Sequence, residues 1–265
     1  MINHEIYLPV LKEFAEKTKG IFEVGYPHGV FVPYVFDKYM DAGLKIFYMG
    51  QDTMWWMEEG GMEGKDFFVK YRDDNDLDGY LEKNASLVTP ETIFGWNDVG
   101  NTAAFWTIVQ KLHCYIKQGS YPSKLSAADN ATKSIIREIG YGNMNSIELQ
   151  KSLGSEGCWE DLDKSAYKKV KEAATKISSL DLLMKAYEPD IIFILSGAEY
   201  YEQFEGLKLH YYEEFGDENI DIIGIEGRKT KIVHTYHPTS FHHKGYSDIE
   251  ILDKLKTAAD FIQKL

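Results

Sequence analysis

Three strand-length apolar runs constrain this chain more than any other feature: "KIFYM" at 45–49, "PDIIFIL" at 189–195 and "TKIVHTY" at 230–236. Each is too short for a helix and too continuously apolar for a strand with one wet face, so each is expected to be a strand buried on both sides. Segments of helical spacing separate them. That alternation predicts a three-layer α/β/α fold, with a central, mostly parallel sheet covered by helices. In such sheets ligands bind beyond the carboxyl ends of the strands.

Apolar spacing predicts helices over "YLPVLKEFAEKTKG" (7–20), "VPYVFDKYMDAG" (32–43), "NTAAFWTIVQKLHCYIKQG" (101–119) and "AADNATKSIIREIG" (127–140). One long polar-rich helix is expected over 160–187, and the last over 247–265. "YGNMN" (141–145) reads as a short strand, and "NIDIIGIEG" with "TKIVHTY" reads as a hairpin through Gly227. Without repeats or linkers, residues 1–265 are expected to form one domain. The 44% hydrophobic content is enough for its core.

Composition narrows function further. The formal net charge of −13 argues against a broad basic surface for nucleic acid, so any such contact must be local. Aromatics make up 14%, with 18 tyrosines, which suits either a packed core or stacking surfaces. Cys114 and Cys158 are too few for a cysteine-held cluster and read as buried thiols. No charged-then-apolar leader and no membrane-length apolar run occurs, which leads to the expectation of a cytoplasmic protein without a membrane partner.

The expected carboxyl ends carry "GQDT", "NMN", "SG" and "HPTSF". Asp52, next to Gln51 and close to Trp55 and Trp56, reads as a shielded carboxylate that orients water or stabilises positive charge; the alternative is a turn cap. In "HTYHPTSFHH", His234 and His237 start on opposite faces of a strand with no acidic partner nearby, which disfavours a metal and makes His237 the functional candidate. Asn143 and Asn145 offer donor and acceptor together, as an amide-like base edge requires, although turns also favour Asn. Phe241 lies in a histidine-rich loop where exposure is expected, and is either tucked into the core, the usual case, or an apolar wedge. Asp74, Asp76, Asp78 and Gly79 resemble half a calcium loop, but Ala85 stands where the closing Glu belongs and the flanks are not clearly helical, so a solvated acidic turn is preferred.

Taken in order, "KIFYMGQDT", "YGNMN", "DIIFILSG" and "IVHTYHPTSF" resemble the motifs of the uracil-DNA glycosylase superfamily from Lys45 onward. Gly50 to Trp55 are similar to that family's Gly-Gln-Asp-Pro-Tyr-His, and His237 to His242 to its His-Pro-Ser-Pro-Leu-Ser. The resemblance implies that Asp52 positions water and His237 stabilises the departing base. It further implies base reading by Asn143 or Asn145, a pocket formed with Gly50, Gln51, Trp55 and Ser196, and Phe241 as the wedge that replaces a flipped nucleotide. Thr53, Met54 and Trp55 depart from the family's Pro-Tyr-His, which leaves the identity of the base open.

The resemblance implies a DNA partner carrying a damaged base and catalysis without metal or cofactor. A non-catalytic base-binding protein and a hydrolase of free nucleosides are the alternatives. Arg228, Lys229, Lys231 and Lys244 bracket the histidine-rich segment and are expected to make the rim locally basic.

Overall fold

The computed structural model describes residues 1–22, 29–51, 64–100, 102–147, 164–197 and 201–265. Its centre is a seven-stranded sheet in the order β1-β3-β2-β4-β7-β6-β5. The strands are β1 (Tyr34–Val35), β2 (Ile46–Gly50), β3 (Ile139–Asn143), β4 (Ile191–Leu195), β5 (Leu209–Tyr211), β6 (Ile220–Ile225) and β7 (Lys231–Thr235). β3, β2, β4 and β7 are parallel neighbours, whereas β1 and β6 run antiparallel to the strands they flank. Every residue of β2 and β4 is buried, as their unbroken apolar runs require.

The described helices are α1 (His4–Thr18), α2 (Gly64–Asp73), α3 (Leu77–Leu87), α4 (Pro90–Asp98), α5 (Ala104–Gln118), α6 (Asn130–Ile136), α7 (Lys164–Ile177), α8 (Leu180–Tyr187), α9 (Pro238–His243) and α10 (Asp248–Ile262). α1 packs with α3, α7 and α8, while α5 packs with α6, α9 and α10, which gives the two helical layers of an α/β/α fold. The core buries Tyr7, Tyr34, Tyr39, Tyr48 and Tyr80 almost completely, so these tyrosines are packing residues. Cys114 is a buried thiol, and Cys158 lies outside the described residues. Among the described residues no helix is long and apolar enough to cross a membrane.

Three expectations about elements are corrected. Residues 32–43 form the edge strand β1 and a short 3-10 turn at Tyr39–Asp41 instead of a helix. Partners elsewhere in the chain take backbone groups that a helix would need. Tyr187 donates to Pro33 O at 2.7 Å, while Val35 N and Phe36 N donate outside the segment, to Met1 O at 2.9 Å and Ile139 O at 3.0 Å. The helix expected over 160–187 is divided between α7 and α8, because Ser179 turns extended and caps α8 by accepting from Leu182 N. The stretch expected as one helix at 127–140 is α6 followed by β3.

The acidic turn is flanked by helices after all. Asp76 caps α3 by accepting from Gly79 N at 3.0 Å, and Asp78 pairs with His4 at 2.6 Å, so two of its carboxylates serve local structure. The hairpin of β6 and β7 turns through Gly227, whose φ of +75° suits a residue without a side chain.

Candidate functional site

β2 has β3 on one side and β4 on the other, so the strand order reverses at β2, the kind of switch point beyond whose carboxyl ends α/β sheets bind ligands. The carboxyl ends of β2, β3, β4 and β7 all lie at this edge, because the four strands are parallel. Main-chain pairing continues past the strands, with Met144 N donating to Gly50 O at 2.9 Å and Asn145 N to Gln51 O at 3.1 Å. The Gln51 amide donates to Ser196 O at 2.7 Å and ties the β2 loop to the β4 loop. His234 Nε2 lies 2.7 Å from Gly197 O and ties β7 to the same loop. This is a cross-braced rim, suited to holding a ligand in a fixed pose.

Gly50 stands opposite Asn143 in the β2–β3 register. A Cβ on residue 50 would lie 2.6 Å from Asn143 Oδ1 and 3.4 Å from the Phe105 ring, so glycine is what lets the amide sit there. Asn143 is buried, with its amide group 3.2–3.3 Å from the Tyr141 hydroxyl. Burial pushes that hydroxyl up to about 12, which keeps it a neutral partner.

His237 is the N-cap of α9, with its Nδ1 accepting from Thr239 N at 3.2 Å. A neutral imidazole that accepts at Nδ1 carries its proton on Nε2. Its ring lies nearly parallel to Phe105, 6.1 Å between centroids and 11° between planes. Burial first, and the neighbouring His242 second, lower its pKa to about 4, so the neutral donor form prevails near pH 7.

Asn145 is buried, and its Oδ1 is 3.4 Å from Gln203 Nε2, which also donates to Met144 O at 2.6 Å. Gly50, Gln51, Asn143, Asn145 and Ser196 therefore belong to one rim, with Ser196 contributing chiefly its carbonyl, and His237 adjoins it through the Phe105 ring. Asp52 and Trp55 lie outside the described residues, as do Thr53, Met54 and Trp56. Sequence reasoning missed Phe105, Gln203 and Tyr141. Phe105 follows the helical core pattern of α5, and Gln203 belongs to no motif.

Two expectations about the rim are corrected. Phe241 is 1% exposed and packs edge-on against Tyr236 and Tyr246, so in this conformation it is a core residue and not an exposed wedge. Arg228, Lys229 and Lys231 lie at the amino end of β7, four residue steps or roughly 13 Å from its carboxyl end. There Arg228 pairs with Asp181 and Lys229 with Asp190. Lys244 alone of the four stays near, with its Nζ 3.7 Å from the centre of the Tyr236 ring. Among the described residues no group of three or more His, Cys, Asp or Glu side chains is placed to hold a metal ion.

No protein-family model matches the chain, and no curated protein matches it in sequence.

Proposed function

We propose that this rim binds a nucleobase and that the protein hydrolyses the N-glycosidic bond of a damaged or deaminated base in DNA, as the resemblance to uracil-DNA glycosylases implies. One observation carries the reading: a neutral His237, able to donate from Nε2, is seated on Phe105, whose ring also approaches the Gly50–Asn143 contact. When the bond from the sugar to the base nitrogen breaks, the electron pair leaves with the base. A neutral donor stabilises the resulting anion, while a carboxylate favours the positive sugar and orients the water that adds to it. Asp52 is the residue assigned the second role by its motif.

A second reading, hydrolysis of a free nucleoside, is favoured by the position of Arg228, Lys229 and Lys231 away from the rim and by the burial of Phe241. Chromatographic detection of released base separates the two. Oligonucleotides carrying uracil, hypoxanthine or xanthine should yield free base and the matching nucleosides should not. Release from nucleosides alone would establish the second reading, and release from neither would refute both.

A further inference from the structure

If the substrate is a polymer, its phosphates need cations that the β7 hairpin does not bring to the rim. α7 has them: five lysines against one glutamate, in a chain of net charge −13. A cavity of about 1120 Å³ runs along this helix, bordered by Lys168, Lys169, Lys171, Lys176 and Tyr167, with Glu172, Glu205 and Gln203 also lining it. Gln203 is also the residue bonded to Met144 O and near Asn145 Oδ1, so the cleft opens beside the floor of the rim. We propose that this cleft binds the phosphodiester backbone of a single-stranded nucleic acid and leads it to the rim; the proposal rests on the nucleobase reading above.

Charge complementarity selects the occupant. Lys176 and Lys17 share Glu13, at 2.8 and 2.5 Å, and are largely satisfied by it. Lys168 is 3.6 Å from Glu172 in an exposed pair, which holds little of its charge in water. Lys169 is exposed one residue further on. From Tyr167 to Lys176 the helix rises roughly 14 Å, long enough to run beside more than one phosphate of a strand.

Tyr167 also lines this groove. The buried Gln203 side chain, 4% exposed, has no hydrogen-bond partner on Oε1 among the described residues. That oxygen is an acceptor for a base amino group or a sugar hydroxyl. A single strand fits better than a duplex, because Phe241 is packed in the core. The smaller cavity beside β6, about 430 Å³, is bordered by Glu213, Asp217, Glu218 and Asp221 and repels the same ligand.

The test is a salt titration of binding to a short fluorescent oligothymidylate by anisotropy. Wild-type protein should bind at low salt. Lys168→Gln with Lys169→Gln should bind more weakly and flatten the slope of log affinity against log salt by about 1.4, roughly 0.7 for each phosphate that is no longer neutralised. Lys229→Gln with Lys231→Gln should match wild type.

Absence of wild-type binding, an unchanged slope in the Lys168 and Lys169 variant, or displacement by polyglutamate as effective as by unlabelled oligothymidylate would each overturn the proposal. The probe carries no damaged base, so its binding is independent of excision. Base release from a modified oligonucleotide that ignores both lysines refutes the cleft and leaves the rim reading standing.

Discussion

Gly50 and Asn143 face each other across the β2–β3 pair so closely that a single added carbon on residue 50 would come within 2.6 Å of the Asn143 side-chain oxygen. Gly50→Ala should therefore displace the amide that the site uses, and should lower base affinity as well as stability, the latter by about 1–3 kcal/mol. Gly140→Ala is the comparison, since its Cβ would meet Phe47 and Tyr39 in the core. Thermal melts should show both variants destabilised, but base release measured well below the transition should fall only for Gly50→Ala. Equal activity of the two would remove Gly50 and Asn143 from the site.

His237 has two roles that different substitutions separate. It caps α9 through Nδ1, and it offers Nε2 to a ligand. His237→Asn keeps a capping acceptor, whereas His237→Ala loses it and should cost about 0.5–2 kcal/mol of stability. Both should slow base release by about 10²–10³, the usual loss of one transition-state donor. A rate loss in His237→Ala alone would make the residue a cap and nothing more.

Acid should weaken the fold in a defined window. Burial, with help from His242, lowers His237 to about 4, and burial, with help from Lys117, lowers His113 to about 3. The unfolded chain takes up protons at histidine near pH 6.5, so between there and about 4 it binds more protons than the folded chain. Stability is fully present above that range and falls as pH falls through it. Denaturant midpoints should follow this course, and His237→Asn should make it shallower. Midpoints that do not change from pH 7 to about 4 would contradict the buried, neutral assignment.

Phe241→Ala tests the corrected placement of that ring. Removing a phenyl group packed between Tyr236 and Tyr246 should cost about 3–5 kcal/mol. Below its lowered melting temperature the variant should keep the wild-type ratio of single-strand to duplex activity. A selective loss on duplex DNA, with little change in stability, would restore the wedge.

The central strands β2 and β4 were legible because they are apolar on both faces, and no other element of that length tolerates such a run. Residues 32–43 were not, because their apolar spacing imitates a helix while the Pro33 carbonyl and the amides of Val35 and Phe36 are held by partners distant in sequence. Ser179 ends one helix and begins another inside a stretch of uninterrupted helical pattern, which periodicity alone does not register. At the rim, Gly50, Gln51, Asn143 and His237 could be read from their places after strands. Gln203 could not, since its importance comes from contacts with Met144 and Asn145 some sixty positions earlier. The basic face failed for a related reason: adjacency of Arg228, Lys229 and Lys231 to the histidines in sequence is separation by the length of β7 in space.

The most direct test of the account is abasic-site formation, read as alkaline strand scission of single-stranded oligonucleotides carrying uracil, hypoxanthine or xanthine. Wild-type protein should produce scission at the modified position with at least one of these bases. Asp52→Asn, which removes only a negative charge, and His237→Asn should each reduce it strongly while remaining folded. Scission by wild type that both variants reproduce at full rate, or no scission with any of the three bases, would contradict the assignment of this rim to N-glycosidic cleavage in DNA.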